Sequence, residues 1–179
     1  MRFTKKPLDK LERCYATAHT IIDGRKQLLF ATEGEGACYM YDAETYKRTT
    51  VWEKPGGTMG MVTIPGKNGD FLAVQKFFRN FQSENASVVW AHWNGGSWEV
   101  KTILKLPYLH RFDILTRNGK HYFIGATLCT SKAYKEDWSD PGKIYVAELP
   151  DDLTKEMDLK IIKEGLTKNH GYSRGKKDG

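Results

Sequence analysis

The sequence predicts an all-β protein, a partial β-propeller of three four-stranded blades plus the first strand of a fourth. Three observations carry this expectation. Short segments rich in aromatic and β-branched residues recur in a fixed order, Gly-containing turns fall at the same place in each repeat, and no long apolar run has a 3.6-residue period. A β-sandwich is the alternative; it accounts for the strands but not for the repeated turns.

The first unit reads as strands at 17–22, 27–33, 37–42 and 46–53. The second has them at 59–64, 71–78, 87–94 and 98–105, and the third at 110–116, 120–128, 143–149 and 159–164. Asp23-Gly24, Asn68-Gly69 and Asn118-Gly119 separate the first and second strands, and such dipeptides favour the positive φ angles of tight hairpins. Asn94-Gly95-Gly96 marks a further hairpin in the second unit. Val88-Val89-Trp90-Ala91 is a continuous apolar run, as expected of a strand covered on both faces by neighbouring blades. Trp98-Glu99-Val100-Lys101-Thr102 alternates, as an outer strand facing water should. The best helical stretch, 151–158, is at most a short turn.

The division that follows is one domain over 1–179. An N-terminal outer strand takes 1–16, blades take 17–57, 58–108 and 109–168, and a fourth blade begins over 169–179. His170 to Gly179 has the spacing of another first strand, because His170 precedes Gly179 by the same nine residues that separate His110 from Gly119. Gly60 stands at that offset before Gly69. Three blades and a strand leave sheet edges and blade faces without partners. The expectation is therefore a fragment of a longer chain with a missing C-terminal half, or self-association that completes a ring.

At 179 residues and 40% hydrophobic, the chain has enough apolar material for one sizeable core. The net charge of +6 is dispersed, with Lys5-Lys6 and Lys176-Lys177 as the densest basic clusters, so no nucleic-acid partner is expected. No apolar run reaches a signal-peptide core or the roughly 20 residues of a membrane span, so no membrane partner is expected. Cys14, Cys38 and Cys129 are scattered and form no CxxC pattern, which points to a reduced, cytoplasmic setting. GxGxxG after a strand, P-loop, HExxH and GxSxG signatures are missing.

In a propeller the 4→1 connections and 2→3 loops share the face around the channel mouth. That places the starts of the inner strands there, together with the long loops at 77–85 and 130–141. His19, His110 and His170 are expected to converge on the mouth, where they could bind a small polar ligand, act as acid or base, or hold a divalent metal ion. His110 and His170 are the metal candidates. Arg111 could hold a carboxylate or phosphate through its planar fork, and Tyr172 could donate a hydrogen bond. Asp113, costly inside a strand unless paired, either pairs with Arg111 two residues away or faces the channel. Structural roles compete with these: strand-end histidines often bond backbone carbonyls of the next blade. His92 reads as a packed, hydrogen-bonded residue, His121 as exposed, and the loop around Trp138 as packing rather than as a sugar platform.

The Gly turns and the strands leading into them resemble a degenerate form of FG-GAP/VCBS-type propeller repeats over residues 17–179. The turns of that family often hold calcium through several carboxylates. Here they read Asp23-Gly24-Arg25, Lys67-Asn68-Gly69-Asp70 and Arg117-Asn118-Gly119-Lys120, too poor in carboxylates to carry that site over. The repeat type is also similar to the propeller of aldos-2-ulose dehydratase, a metal-dependent sugar lyase. The resemblance implies a sugar-like ligand at the channel mouth. The alternative is a non-enzymatic scaffold with partners docking on loops or blade edges.

Overall fold

The computed structural model describes residues 2–5, 7–78 and 83–175. Met1, Lys6, Arg79 to Gln82 and 176–179 lie outside it, and with them the centre of the 77–85 loop, the Lys176-Lys177 pair and the Asp178-Gly179 turn.

Among the described residues there are twelve strands and no helix. They form three antiparallel sheets, each in simple sequence order. Blade 1 contains β1 (Cys14–Ile22), β2 (Arg25–Thr32), β3 (Cys38–Asp42) and β4 (Arg48–Trp52). Blade 2 contains β5 (Met61–Thr63), β6 (Phe71–Gln75), β7 (Ser87–Trp93) and β8 (Trp98–Lys105). Blade 3 contains β9 (Leu109–Arg117), β10 (Lys120–Thr127), β11 (Gly142–Glu148) and β12 (Lys160–Leu166). The first strands β1, β5 and β9 are neighbours in that order, so they form the inner wall of a partial β-propeller.

Blade 2 explains how the blades are held. Side chains alternate between the faces of a strand. In β6, Phe71 and Ala73 enter the core shared with blade 1, while Leu72 and Val74 enter the core shared with blade 3. All five residues of β6 are buried for that reason. Towards blade 1, Phe71 shares a core with Leu29, Met40, Val51 and Trp52. Towards blade 3, Leu72 and Val74 share a core with Phe112, Ile114, Phe123 and Leu128. At roughly 1.5–3 kcal/mol for each fully buried large side chain, these two seams supply most of the cohesion. Blade 3's outermost strand β12 has no such cover and is exposed along nearly its whole length.

The turns do two different jobs. At Asp23-Gly24 and Asn118-Gly119 both residues have positive φ, which is the geometry of a two-residue hairpin. Asn68-Gly69 does not make that tight turn: Ile64 to Asp70 form a longer loop, folded back by Lys67 N–H on Ile64 O at 3.2 Å. Its role is a close approach between blades. A side chain on Gly69 would strike Ile22, and Asn68 exchanges two 2.9 Å hydrogen bonds with Asp23.

Both chain ends differ from the expected strands. Residues 7–13 form no strand, and Cys14–Ala16 already belong to β1. Instead, Asp9 anchors the N-terminal segment across blade 1 by accepting from Tyr41 Oη at 2.9 Å and from Arg48 Nη1 at 2.7 Å. Side-chain tethers thus replace the backbone ladder of an outer strand. At the other end, 169–175 form no strand either. Asn169 N–H donates to Leu128 O at 3.2 Å, much as Thr58 N–H donates to Thr32 O at 2.9 Å where the chain leaves blade 1. The segment then crosses the face of blade 3 as a strap.

Candidate functional site

A cavity of about 350 Å³ opens between the three inner strands. Tyr15, Ala16 and Thr17 of β1 form one wall, Met59, Gly60, Met61 and Val62 at the start of β5 the second, and Arg111, Phe112 and Asp113 of β9 the third. Alternation along β9 explains its wall. Phe112 and Ile114 turn into the core shared with blade 2, so Arg111 and Asp113 turn away from it. A cavity of this size accommodates a monosaccharide-sized molecule.

Asp113 is held by Arg174 of the strap, whose Nε and Nη2 donate to the two carboxylate oxygens. This fork-on-fork pairing is the strong form of an ion pair, and it raises the Arg174 guanidinium pKa further. Arg111 was a candidate partner for Asp113, but among the described residues it makes no ion pair and is exposed. Gly171 lies against the Arg111 stem, so close that a side-chain carbon at Gly171 would stand 2.5 Å from Arg111 Cγ.

His110 and His170 come together, but neither lines the cavity and His19 does not join them. His19 points outward from blade 1, opposite Leu28, and does not line the cavity. His110 is 3% exposed and faces Phe77 at 5.1 Å between ring centres. Its Nδ1–H donates to the backbone carbonyl of His170 at 3.0 Å, and the exposed His170 ring covers it at 4.5 Å. Burial pushes the His110 pKa down to about 4; the hydrogen bond to the His170 carbonyl opposes this, and the electrostatic effects of His170 and Arg111 add to the lowering. Here that neutral imidazole ties the strap to blade 3 through the His170 carbonyl and fills the space beside Phe77. Among the described residues, no group of three His, Cys, Asp or Glu side chains is placed to hold a metal ion, so the two metal candidates form no such site. Tyr172 Oη donates to Ile124 O at 2.8 Å and is raised in pKa, first by burial and then by the Asp113 charge. It pins the strap rather than facing the cavity.

Other groups are also accounted for structurally. His92 is bonded to the buried Asp70 at 3.0 Å, and Asp70 also accepts from Trp90 Nε1 at 2.9 Å. His121 is half-buried beside the Thr116 hydroxyl at 2.9 Å. In the 130–141 loop, Trp138 packs on the core and carries Lys132 over its ring. Cys129 is fully buried and its thiol is pushed up to about 11, which removes it as a nucleophile at neutral pH. Two larger grooves of about 740 Å³ lie elsewhere, one under the N-terminal segment and one between β8 and residues 156–159. In the first, Asp9 is already spent on Tyr41 and Arg48.

Tyr15, Thr17 and the start of β5 were not among the expected site residues. The signal for them was present. The nine-residue offset that links His110 to Gly119 leads back from Gly69 to Gly60 and from Gly24 to Tyr15, and both line the cavity. The first strand begins at Cys14 rather than at 17, which puts Tyr15 on the inner wall.

No protein-family model matches the chain, and no curated protein matches it. Among solved structures, it is similar to the alpha-L-arabinofuranosidase from Lactobacillus brevis, with 12% identity and a TM-score of 0.51. That match covers 82% of this chain and 52% of the other, so the chain spans about half the length of this neighbour. A glycoside hydrolase family 43 arabinoxylan arabinofuranohydrolase from Bacillus subtilis, solved with cellotetraose, aligns at 14% identity and a TM-score of 0.47. It covers 82% of this chain and 35% of its own. At such identity the likeness to the first neighbour is one of fold, and it agrees with the three-bladed arc described above. The FG-GAP/VCBS identity of the repeats is not established by it.

Proposed function

We propose that the chain binds a small polar, sugar-like ligand at the channel mouth. The observation that carries this reading is the cavity itself, to which all three inner strands contribute. Tyr15 offers apolar surface, Thr17 a hydroxyl, and Arg111 and Asp113 charge, the mixture a polyhydroxylated ring requires. The similarity in fold to an arabinofuranosidase adds to the argument for this ligand class. Hydrolysis has less support. Glycosidases use two carboxylates flanking the bond, whereas Asp113 is the one carboxylate among the described lining residues and Arg174 occupies it. Titrating the isotope-labelled protein with L-arabinose and D-glucose tests the proposal by NMR. Shift changes centred on 15–17, 59–62 and 111–113 are expected, and the absence of any response, or a response confined to other surfaces, would overturn it.

A second reading, association of two copies into a ring, draws on two observations. Blade faces at both ends of the arc are uncovered, with Ile21 on β1 57% exposed and Ile162 on β12 59% exposed. The chain also spans about half of the neighbour whose fold it shares. Sedimentation equilibrium should then give twice the mass of one chain at micromolar concentration. A monomer at the far higher concentrations of NMR would refute it.

A further inference from the structure

We infer that the group recognised in the channel-mouth cavity is an anion, a carboxylate or phosphate carried by the sugar-like ligand, and that Arg111 receives it. This rests on the proposed ligand site and narrows its chemistry. The two charged residues among the described lining are Arg111 and Asp113. They stand two apart on β9 and point the same way, so in isolation they would neutralise each other. The strap prevents this. Arg174 takes both oxygens of Asp113, and Tyr172 and Asn169 fix the strap to Ile124 O and Leu128 O. Arg111 is left without a counter-charge among the described residues, while its stem is confined by the backbone of Gly171. Counting Arg174 with the two lining residues, the cavity carries an excess positive charge.

An unpaired guanidinium whose stem is held in place matches a carboxylate or phosphate through two parallel hydrogen bonds. A neutral sugar has nothing that uses that fork as well. His110 supplies no competing charge at neutral pH, because burial keeps it neutral beside Arg111. The strap therefore has a positioning role: Arg174 touches no ligand, yet it decides whether Arg111 is free.

Titrations with D-glucuronate, D-glucose 6-phosphate and D-glucose, followed by NMR at low and high salt, test this. Both anions should bind at least about tenfold more tightly than D-glucose, with the preference shrinking as salt rises. A response to one anion alone names the source of the charge. Arg111→Gln should abolish the preference and Arg111→Lys should restore part of it. Arg174→Gln should weaken anion binding as well, since Asp113 is then released to pair with Arg111. Equal binding of D-glucose and the anions, or a preference that survives Arg111→Gln, overturns the inference while the sugar site stands. No response to any of the three overturns both.

Discussion

His110 shows how a residue type that advertises chemistry is used for packing. Its ring is enclosed by Phe77 and His170, and its one described hydrogen bond goes to a backbone carbonyl. The consequence is a pH dependence of stability with a definite sign. The folded-state pKa is lowered from 6.5 to about 4, so between those values the unfolded chain binds more protons than the folded one. Stability is fully present above about pH 6.5 and is lost as the pH falls towards 4, by on the order of 3 kcal/mol from this residue. Urea unfolding at pH 7 and pH 4.5 measures the loss. His110→Phe keeps an aromatic ring against Phe77 and removes the titration, so its stability should fall less over the same interval. An unchanged difference between the two pH values would show that other groups set the acid sensitivity. Asp70 makes the complementary point, because a buried carboxylate persists where Trp90, His92 and the Trp93 N–H all donate to it.

At the level of elements, the strands and their order within each blade were legible because both ends of the signal are local. The alternation of Trp98 to Thr102 and the continuous apolar run of Val88 to Ala91 record how many faces of each strand are covered. Asp23-Gly24 and Asn118-Gly119 fix hairpins through backbone geometry that a sequence displays directly. The errors fall where tertiary contacts overrule local pattern. β5 shrinks to Met61–Thr63, because Gly60 and Ile64 instead serve as single bonds to Val74 and Asp70 at its two ends. The Asn68-Gly69 dipeptide is needed for the contact with Ile22, not for a hairpin. In place of the outer strand expected over 1–16, residues 7–13 are tied to blade 1 by the Asp9 carboxylate and by the Glu12 and Arg13 carbonyls. The site divides in the same way. Arg111 and Asp113 were legible from their place at an inner-strand start. Arg174, which takes Asp113 as its ion-pair partner, lies 61 residues from it and carries no periodic or motif signal. His110 and His170 were expected at the mouth as ligands, but the sequence holds nothing that tells a histidine facing a channel from one facing Phe77.

The arc as a whole depends on blade 2, which has neighbours on both faces. Phe71 and Leu72 are adjacent in sequence and fully buried, yet they belong to different seams, one towards blade 1 and the other towards blade 3. Any disturbance that unpairs β6 therefore opens both seams together, which is the physical condition for all-or-none unfolding. Phe71→Ala should destabilise the protein by about 3–5 kcal/mol and Leu72→Ala by about 2–5 kcal/mol. The informative result is the shape of the transition. Trp52 and Trp98 flank Phe71, at 6.1 Å and 5.4 Å between ring centres, and Trp93 packs in the same seam. In a parent chain carrying Trp90→Phe and Trp138→Phe, tryptophan fluorescence therefore reports on the seam with blade 1. Circular dichroism reports on all three sheets. If blade 2 couples the arc, the two probes should give coincident midpoints in the parent chain and in both variants. A fluorescence transition in Phe71→Ala that precedes the loss of sheet signal would show instead that blade 1 separates while blades 2 and 3 remain folded, and that the two seams are independent.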